Sequence, residues 1–252
     1  MVGRVPSHPN ESRRLAAYDR GVIVTFDLFS ALLDTRSGAS STFDSFARAR
    51  DWAVTGTELY DVWDGLNKAA QKDLAERLAA GGEWESFTSV STRTLAQAYA
   101  ELGLDADAEI DLRAVHATIP EWSPWPDVVP AMAELSGTHR LGILSNVDDA
   151  LFDRTQIAGL VDPEVVLTSE RLRAYKPGSR IYRRAAEHTG GHVHVAASAR
   201  DVRGSLEAGL MTVRVARPGH RVDPDGPQPA YEIDSVSELG PVLDDIRRQF
   251  TK

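Results

Sequence analysis

Gly21-Val-Ile-Val-Thr-Phe-Asp-Leu-Phe-Ser-Ala-Leu-Leu-Asp34 is a short apolar run that delivers one carboxylate, Asp27. Val22, Ile23, Val24 and Phe26 are β-branched or aromatic and nearly uninterrupted, the pattern of a strand buried on both faces of a parallel sheet. In an open α/β sheet, ligands bind beyond the carboxyl ends of the strands, so Asp27 falls where chemistry is usually done. Taken alone, an Asp after a strand is more often a turn or helix-capping residue, and the rest of the chain has to decide.

From Ser37 to Ala117 the pattern is helical. Ser40 to Arg50, Thr57 to Ala80, Trp84 to Leu102 and Asp105 to Thr118 carry apolar residues at spacings of three and four, with Gly81-Gly82 and Gly103 as stops. Ile119-Pro-Glu-Trp-Ser-Pro-Trp-Pro-Asp127 then breaks any helix, because its prolines remove donors and fix the backbone. Beyond this hinge, helices are expected over 128–136, 150–158, 179–189, 201–208 and 236–250, with strands at 140–144, 165–167, 193–196 and 212–215. Alternating strands and helices imply a parallel sheet with right-handed crossovers. The economical reading is an α/β protein: a Rossmann-like parallel-sheet core whose first crossover is expanded into an all-helical cap. Its parts are a flexible N-terminal tail (1–20), a core (21–35 and 122–252) and the cap (36–121).

The 252 residues are 42% apolar and 26% charged, ordinary for a globular chain, and carry a net charge of -9. That balance argues against nucleic acid as a partner, since a phosphate-backbone binder needs clustered Lys and Arg. There is no cysteine, hence no disulfide framework, thiolate zinc site or thiol nucleophile. With no signal-like or membrane-length apolar run, a cytoplasmic location away from membranes is expected. A homodimer is compatible with the sequence, which does not itself show one.

The core strand ends carry Asp27, Ser145-Asn146, Lys176-Pro177 and Ser198 with Asp201, and parallel strands bring such ends to one edge of the sheet. Simpler readings exist for each: a solvated lysine at Lys176, a helix N-cap at Ser145 or Asn146, a helix cap at Asp201. Trp63 and Trp84 read as core, with Trp122 and Trp125 on the hinge as candidate pocket residues. His192-Val-His194 alternates along a strand and reads as a buried pair rather than a metal site, having no third ligand near it in sequence.

The order Asp, Ser, Lys, acidic residue resembles the haloacid dehalogenase superfamily of hydrolases, over about Val22 to Val215. Within it, Phe26-Asp27-Leu28-Phe29, Leu144-Ser145-Asn146, Tyr175-Lys176-Pro177 with Tyr182, and Ser198-Ala-Arg-Asp201 are similar to the 2-haloacid dehalogenase branch. The resemblance implies a nucleophilic Asp27, with Lys176 and Asp201 as the other catalytic groups. It implies substrate contacts from Phe29, Ser30, Arg36, Ser145, Asn146, Tyr182 and Ser198, and a small carboxylic acid as substrate.

The phosphatases of the superfamily carry a second Asp two residues after the nucleophile, where this chain has Phe29. Their magnesium-holding Asp falls at Ala196-Ala197-Ser198. No metal site and no cofactor are therefore expected, with Mg²⁺ required only if the chain is a phosphatase instead. The dehalogenase match has gaps too: Ser30-Ala31 stands for Gly-Thr, and Asp64 after Trp63 stands for an anion-holding Arg that Arg36 would replace. The sequence also leaves room for a hydrolase of a non-halogenated acid by the same ester route, and for a non-catalytic binding relative.

Overall fold

The computed structural model describes residues 21–250; the expected tail, 1–20, lies outside them. The opening run forms β1 (Ile23–Phe26), in the middle of a six-stranded sheet of order β3-β2-β1-β4-β5-β6. The others are β2 (Arg140–Ser145), β3 (Val166–Thr168), β4 (Val193–Ala196), β5 (Met211–Val215) and β6 (Tyr231–Ile233). Every pairing is parallel, with Val24 beside both Leu141 and Val193. Neighbours on both sides and helices over both faces leave Val24 and Phe26 fully buried, as their uninterrupted apolar run requires. The chain adds β2 and β3 on one side of β1 and then crosses to β4 on the other. The strand order therefore reverses at β1, where Asp27 emerges.

Between β1 and β2 lie four helices: α1 (Thr35–Arg50), α2 (Gly56–Ala79), α3 (Phe87–Leu102) and α4 (Ala108–Ala117). Helix α1 begins five residues before the sequence expectation, because Asp34 caps it by accepting from Ser37 N. Thr55 and Glu58 close a capping box on α2, and Gly103, at φ 65°, ends α3. Helices α1 and α2 touch at Gly56, where a Cβ would lie 2.2 Å from Ser40 O, so a side chain there would force them apart. Inside the block, Arg50 forks onto the buried Asp111, which also accepts from the Tyr99 hydroxyl at 2.8 Å.

The block stands on two connectors that pair with each other. Asp34 N donates to Ser123 O and Trp125 N to Leu32 O, so the expected hinge is a short two-stranded stalk. Asp127 at its foot accepts both terminal nitrogens of Arg217, whose Nε donates to Ala31 O, and also accepts from Val236 N. The core's Asp148 reaches the block as well: its carboxylate accepts from Phe87 N at 2.8 Å and Thr88 N at 2.9 Å, at the N-terminus of α3.

The remaining helices are α5 (Val128–Leu135), α6 (Asp149–Phe152), α7 (Ser169–Leu172), α8 (Ser179–Thr189), α9 (Ala199–Glu207) and α10 (Leu239–Phe250). The helix expected over 150–158 shrinks to the single turn α6. Thr155 bonds the Phe152 carbonyl through both its amide and its hydroxyl, a tight turn that competes with further helix. The sequence reading contains neither α7 nor the edge strand β6, each too short to show a period. Among the described residues no helix is long and apolar enough to cross a membrane.

Candidate active site

Asp27 leaves β1 with its amide donating to Val195 O, so its carboxylate starts from a fixed point between β1 and β4. Lys176 Nζ donates to Asp27 Oδ1 at 2.6 Å, Asp201 Oδ2 at 2.6 Å and Leu144 O at 2.8 Å, which uses all three of its N–H groups. Ser145 Oγ donates to Asp27 Oδ1 at 3.2 Å and Ser30 Oγ to Asp27 Oδ2 at 3.1 Å. Four of the sequence's candidates thus converge on the one carboxylate, or on its lysine.

Burial opposes the charge on Lys176, but the Asp201 and Asp27 carboxylates outweigh it and hold the ammonium above the ordinary lysine range. Burial likewise disfavours charge on Asp201. Lys176 and His194 overcome it and hold that carboxyl well below its usual range. The Tyr182 hydroxyl donates to Asp201 Oδ1 at 2.8 Å, and His194 Nε2 lies 3.2 Å from both carboxylate oxygens. On the other side of the ring, His194 Nδ1 is 3.0 Å from Thr25 Oγ1.

A cleft of about 590 Å³ opens over this cluster, between the sheet edge and the four-helix block. Asp27, Phe29, Ser30, Arg36, Ser145, Asn146, Lys176, Ser198 and Asp201 line it, with Trp63, Trp122 and Trp125. The cleft thus takes in Trp63, which reads as core in the sequence, beside the two hinge tryptophans. Tyr182 is fully buried behind Asp201 and does not reach the cleft. Asn146 spends its amide on the loop that carries Lys176: Nδ2 donates to Lys176 O and to Gln71 Oε1 of α2, while Oδ1 accepts from Lys176 N. Arg36 is exposed and forked onto Asp61, and Asp64 pairs with Lys68 one helical turn on. Neither Ser145 nor Asn146 caps a helix, and Asp201 sits inside the first turn of α9.

His194 and Arg200 are among the polar residues to which the sequence reading gives no role in the site. His194 stands in a strand alternation that marks it only as buried; Arg200 shares its motif with Asp201 but gives no sign of which way it faces. Its guanidinium donates to Lys68 O, Gln71 Oε1 and Lys176 O, tying α9 to α2. His116, also lining the cleft, is pushed down to about 4 by burial, against the charge of Asp148.

The donor set does not fit a magnesium ion. Such an ion needs several oxygen ligands, and here the Lys176 ammonium lies between the two carboxylates that face each other. Among the described residues no group of three His, Asp or Glu side chains could hold a metal.

A parallel sheet that reverses at β1, with a carboxylate, lysine and second carboxylate at its edge beneath an inserted helical block, defines a class of hydrolases. The chain belongs to the haloacid dehalogenase-like hydrolase family, whose pattern it matches over residues 23–198. It is 27% identical to the (S)-2-haloacid dehalogenase of Xanthobacter autotrophicus over 199 residues, 77% of this chain and 74% of that protein. It is also 27% identical to the pyrimidine 5'-nucleotidase YjjG of Escherichia coli K12 over 223 residues, 80% of this chain and 92% of that one. The fold is similar to that of the L-2-haloacid dehalogenase from Xanthobacter autotrophicus solved with chloropropionic acid covalently bound. There the TM-score is 0.72 at 21% identity, covering 89% of this chain and 98% of that one.

Proposed function

We propose that this hydrolase cleaves the carbon–halogen bond of a 2-halogenated carboxylic acid, without a metal, using Asp27 as nucleophile. The observation that carries the reading is Phe29. Two residues beyond Asp27, where an acid would protonate a leaving alkoxide, the cleft wall is a phenyl ring. Halide departs as a stable anion and needs no proton; most phosphate esters do.

Asp27 attacks the halogen-bearing carbon in line, the halide leaves with the bonding pair, and an ester joins Asp27 to the acid. Oδ2 holds only the Ser30 hydrogen bond, whereas Oδ1 is engaged by Lys176 and Ser145, so Oδ2 is the freer nucleophile. Water then attacks the ester carbonyl. Its oxygen stays in the regenerated Asp27 carboxylate, one proton ends on the product's 2-hydroxyl, and the other goes to solvent. Lys176, with Ser145, stabilises the charge on the carbonyl oxygen, Oδ1, as it develops, while Ser30 stays beside the Oδ2 that has become the ester's bridging oxygen. Asp201 and Tyr182 hold Lys176, Asn146 braces its loop, and Ser198 and Arg36 stand at the wall of the cleft. In the same reading residues 36–121 are a cap that excludes water from the ester during its formation, and the cysteine-free chain works in the cytoplasm.

The test is halide release from 2-bromo acids, with and without Mg²⁺ and chelator, beside Asp27→Asn. Wild type should turn over in chelator, and the variant should fall by at least about 10³-fold. A single turnover in ¹⁸O-water should put the label into Asp27. Retained activity in Asp27→Asn would sink the reading. The likeness to a nucleotidase supports a second one, a magnesium-dependent phosphatase, which phosphate release that depends on Mg²⁺ would establish instead. Turnover of a non-halogenated acid through the same Asp27 ester would move the substrate and keep the chemistry.

A further inference from the structure

Besides Lys176, three cationic side chains line the cleft: Arg36, Lys68 and Arg200. Two are already neutralised, Arg36 by Asp61 at 2.6 Å and Lys68 by Asp64 at 2.5 Å. Arg200 meets no carboxylate at ion-pair distance among the described residues. It is half-buried, and its partners are the carbonyl oxygens of Lys68 (3.1 Å), Gln71 (2.9 Å) and Lys176 (2.9 Å). A guanidinium has five N–H donors, so two remain after these three bonds. Burial lowers the pKa of Arg200, although the charges of Asp201, Asp27 and Asp64 act the other way. A partly buried guanidinium hydrogen-bonded only to neutral acceptors, with two N–H donors left, is suited to take a carboxylate.

Another stretch of the wall is aromatic. Phe29 lies 5.9 Å from Phe87 and 6.1 Å from Trp122, ring centre to ring centre, and the Phe87 and His116 rings are stacked at 6.5 Å. The Trp122 and Trp125 N–H groups are already spent on Thr118 Oγ1 and Ser30 O, so their rings offer an occupant apolar surface alone. A three-carbon halo acid would fill only a small part of about 590 Å³, a volume in the range of sites for much larger ligands.

We infer that Arg200 anchors the carboxylate of the substrate, and that the carbon attacked by Asp27 carries a bulky apolar group, so that the substrates are aryl-bearing 2-halo acids. The inference rests on the dehalogenase reading above and narrows it: Arg200 selects acids over neutral analogues, and the aromatic wall selects large substituents over small. The rival role for Arg200 is to balance the negative charge that Asp27, Lys176 and Asp201 leave in sum. The two roles differ in what they discriminate.

The full chain, with Arg200→Gln and Arg200→Lys, is assayed for halide release from 2-bromo-3-phenylpropanoate, its amide and 2-bromopropanoate. Calorimetry measures binding of 3-phenylpropanoate and 3-phenylpropanamide, and melting temperatures check the fold. In wild type the KM for the phenyl acid should be about tenfold or more below that for 2-bromopropanoate. Arg200→Gln should raise the KM of the acids by about 10- to 100-fold, with a smaller change in kcat. Arg200→Lys should recover part of this loss, and amide binding should stay unchanged. Equal KM values for the large and small acids, or equal losses for acid and amide in both variants, would overturn the inference. Halide release from 2-bromopropanoate that is indifferent to Arg200 overturns it while sparing the dehalogenase reading. No halide release from any acid, with 3-phenylpropanoate binding that depends on Arg200, sinks the dehalogenase reading and keeps the anchor.

Discussion

A buried carboxylate that accepts from a lysine, a tyrosine and a histidine is held in both charge and direction, and Asp201 is such a group. Its His194 contact lies outside the four motifs, yet it decides how firmly Asp201 can hold Lys176 against Asp27. Replacing His194 by Phe keeps a flat ring and removes the donor. Activity is expected to fall about 10- to 100-fold, the worth of one hydrogen bond to a charged group. The pH profile gives a sharper readout. Lys176 and His194 together hold the Asp201 pKa down against burial, so removing His194 raises it and Asp201 takes up a proton at higher pH. The acid limb of the rate profile should therefore move upward in pH in His194→Phe, with the basic limb unmoved; coincident profiles would show the contact to be structural only. Asp27, Lys176 and Asp201 could be named from the sequence because parallel strands bring their strand ends to one edge and their order resembles that of a known family. His194 and Arg200 could not, because a residue's place in the chain does not say which way its side chain turns.

At the scale of the element, β4 carries a second histidine with a different consequence. His192 donates or accepts at Nδ1 with Thr189 Oγ1, 3.0 Å away, while its Nε2 is buried without a partner. Burial, with the neighbouring His194, pushes it down to about 3. An unfolded chain protonates this ring near 6.5, so between about 6.5 and 3 the unfolded state binds a proton that the folded state refuses. Stability therefore rises with pH across that window and is lost on acidification, and His116, at about 4, adds to the same slope. His192→Leu should be within about 1 kcal/mol of wild type at pH 7.5 and lose less melting temperature between pH 7 and 4.5. An unchanged slope would show that other groups carry the acid sensitivity. Elements with a long period were readable from sequence, as α2 and α8 show. The single turn α6 and the edge strand β6 were not, because a few residues settled by hydrogen bonds to distant or competing partners leave no period to read.

Over the whole molecule, the sequence marks a helical stretch by a change of period after Asp34 and a proline-rich return at Ile119, and four helices stand between β1 and β2. How the block is fastened is not marked. It rises from one stalk, braced below by Arg217 and Asp127, and is tied across the cleft by Asn146, Arg200 and Asp148. These polar ties run beside apolar packing continuous with the core: Trp63, Phe87 and Leu95 of the block share one buried cluster with Phe26, Val147 and Phe152, and Tyr175 packs among Leu74, Leu78 and Val90.

The carboxylate of Asp148 occupies the amide end of α3, so the two bodies cannot part there without exposing Phe87 N and Thr88 N to water. Those two amide protons become a clock for the cleft. Their exchange with deuterium should run at the rate of opening, slow when a non-hydrolysable acid fills the cleft, and quicken in Asp148→Ala while amides in β1 stay protected. Under the proposed reading, in which a halo acid enters and a hydroxy acid leaves, each opening would be reported through two hydrogens, with no dye or label attached.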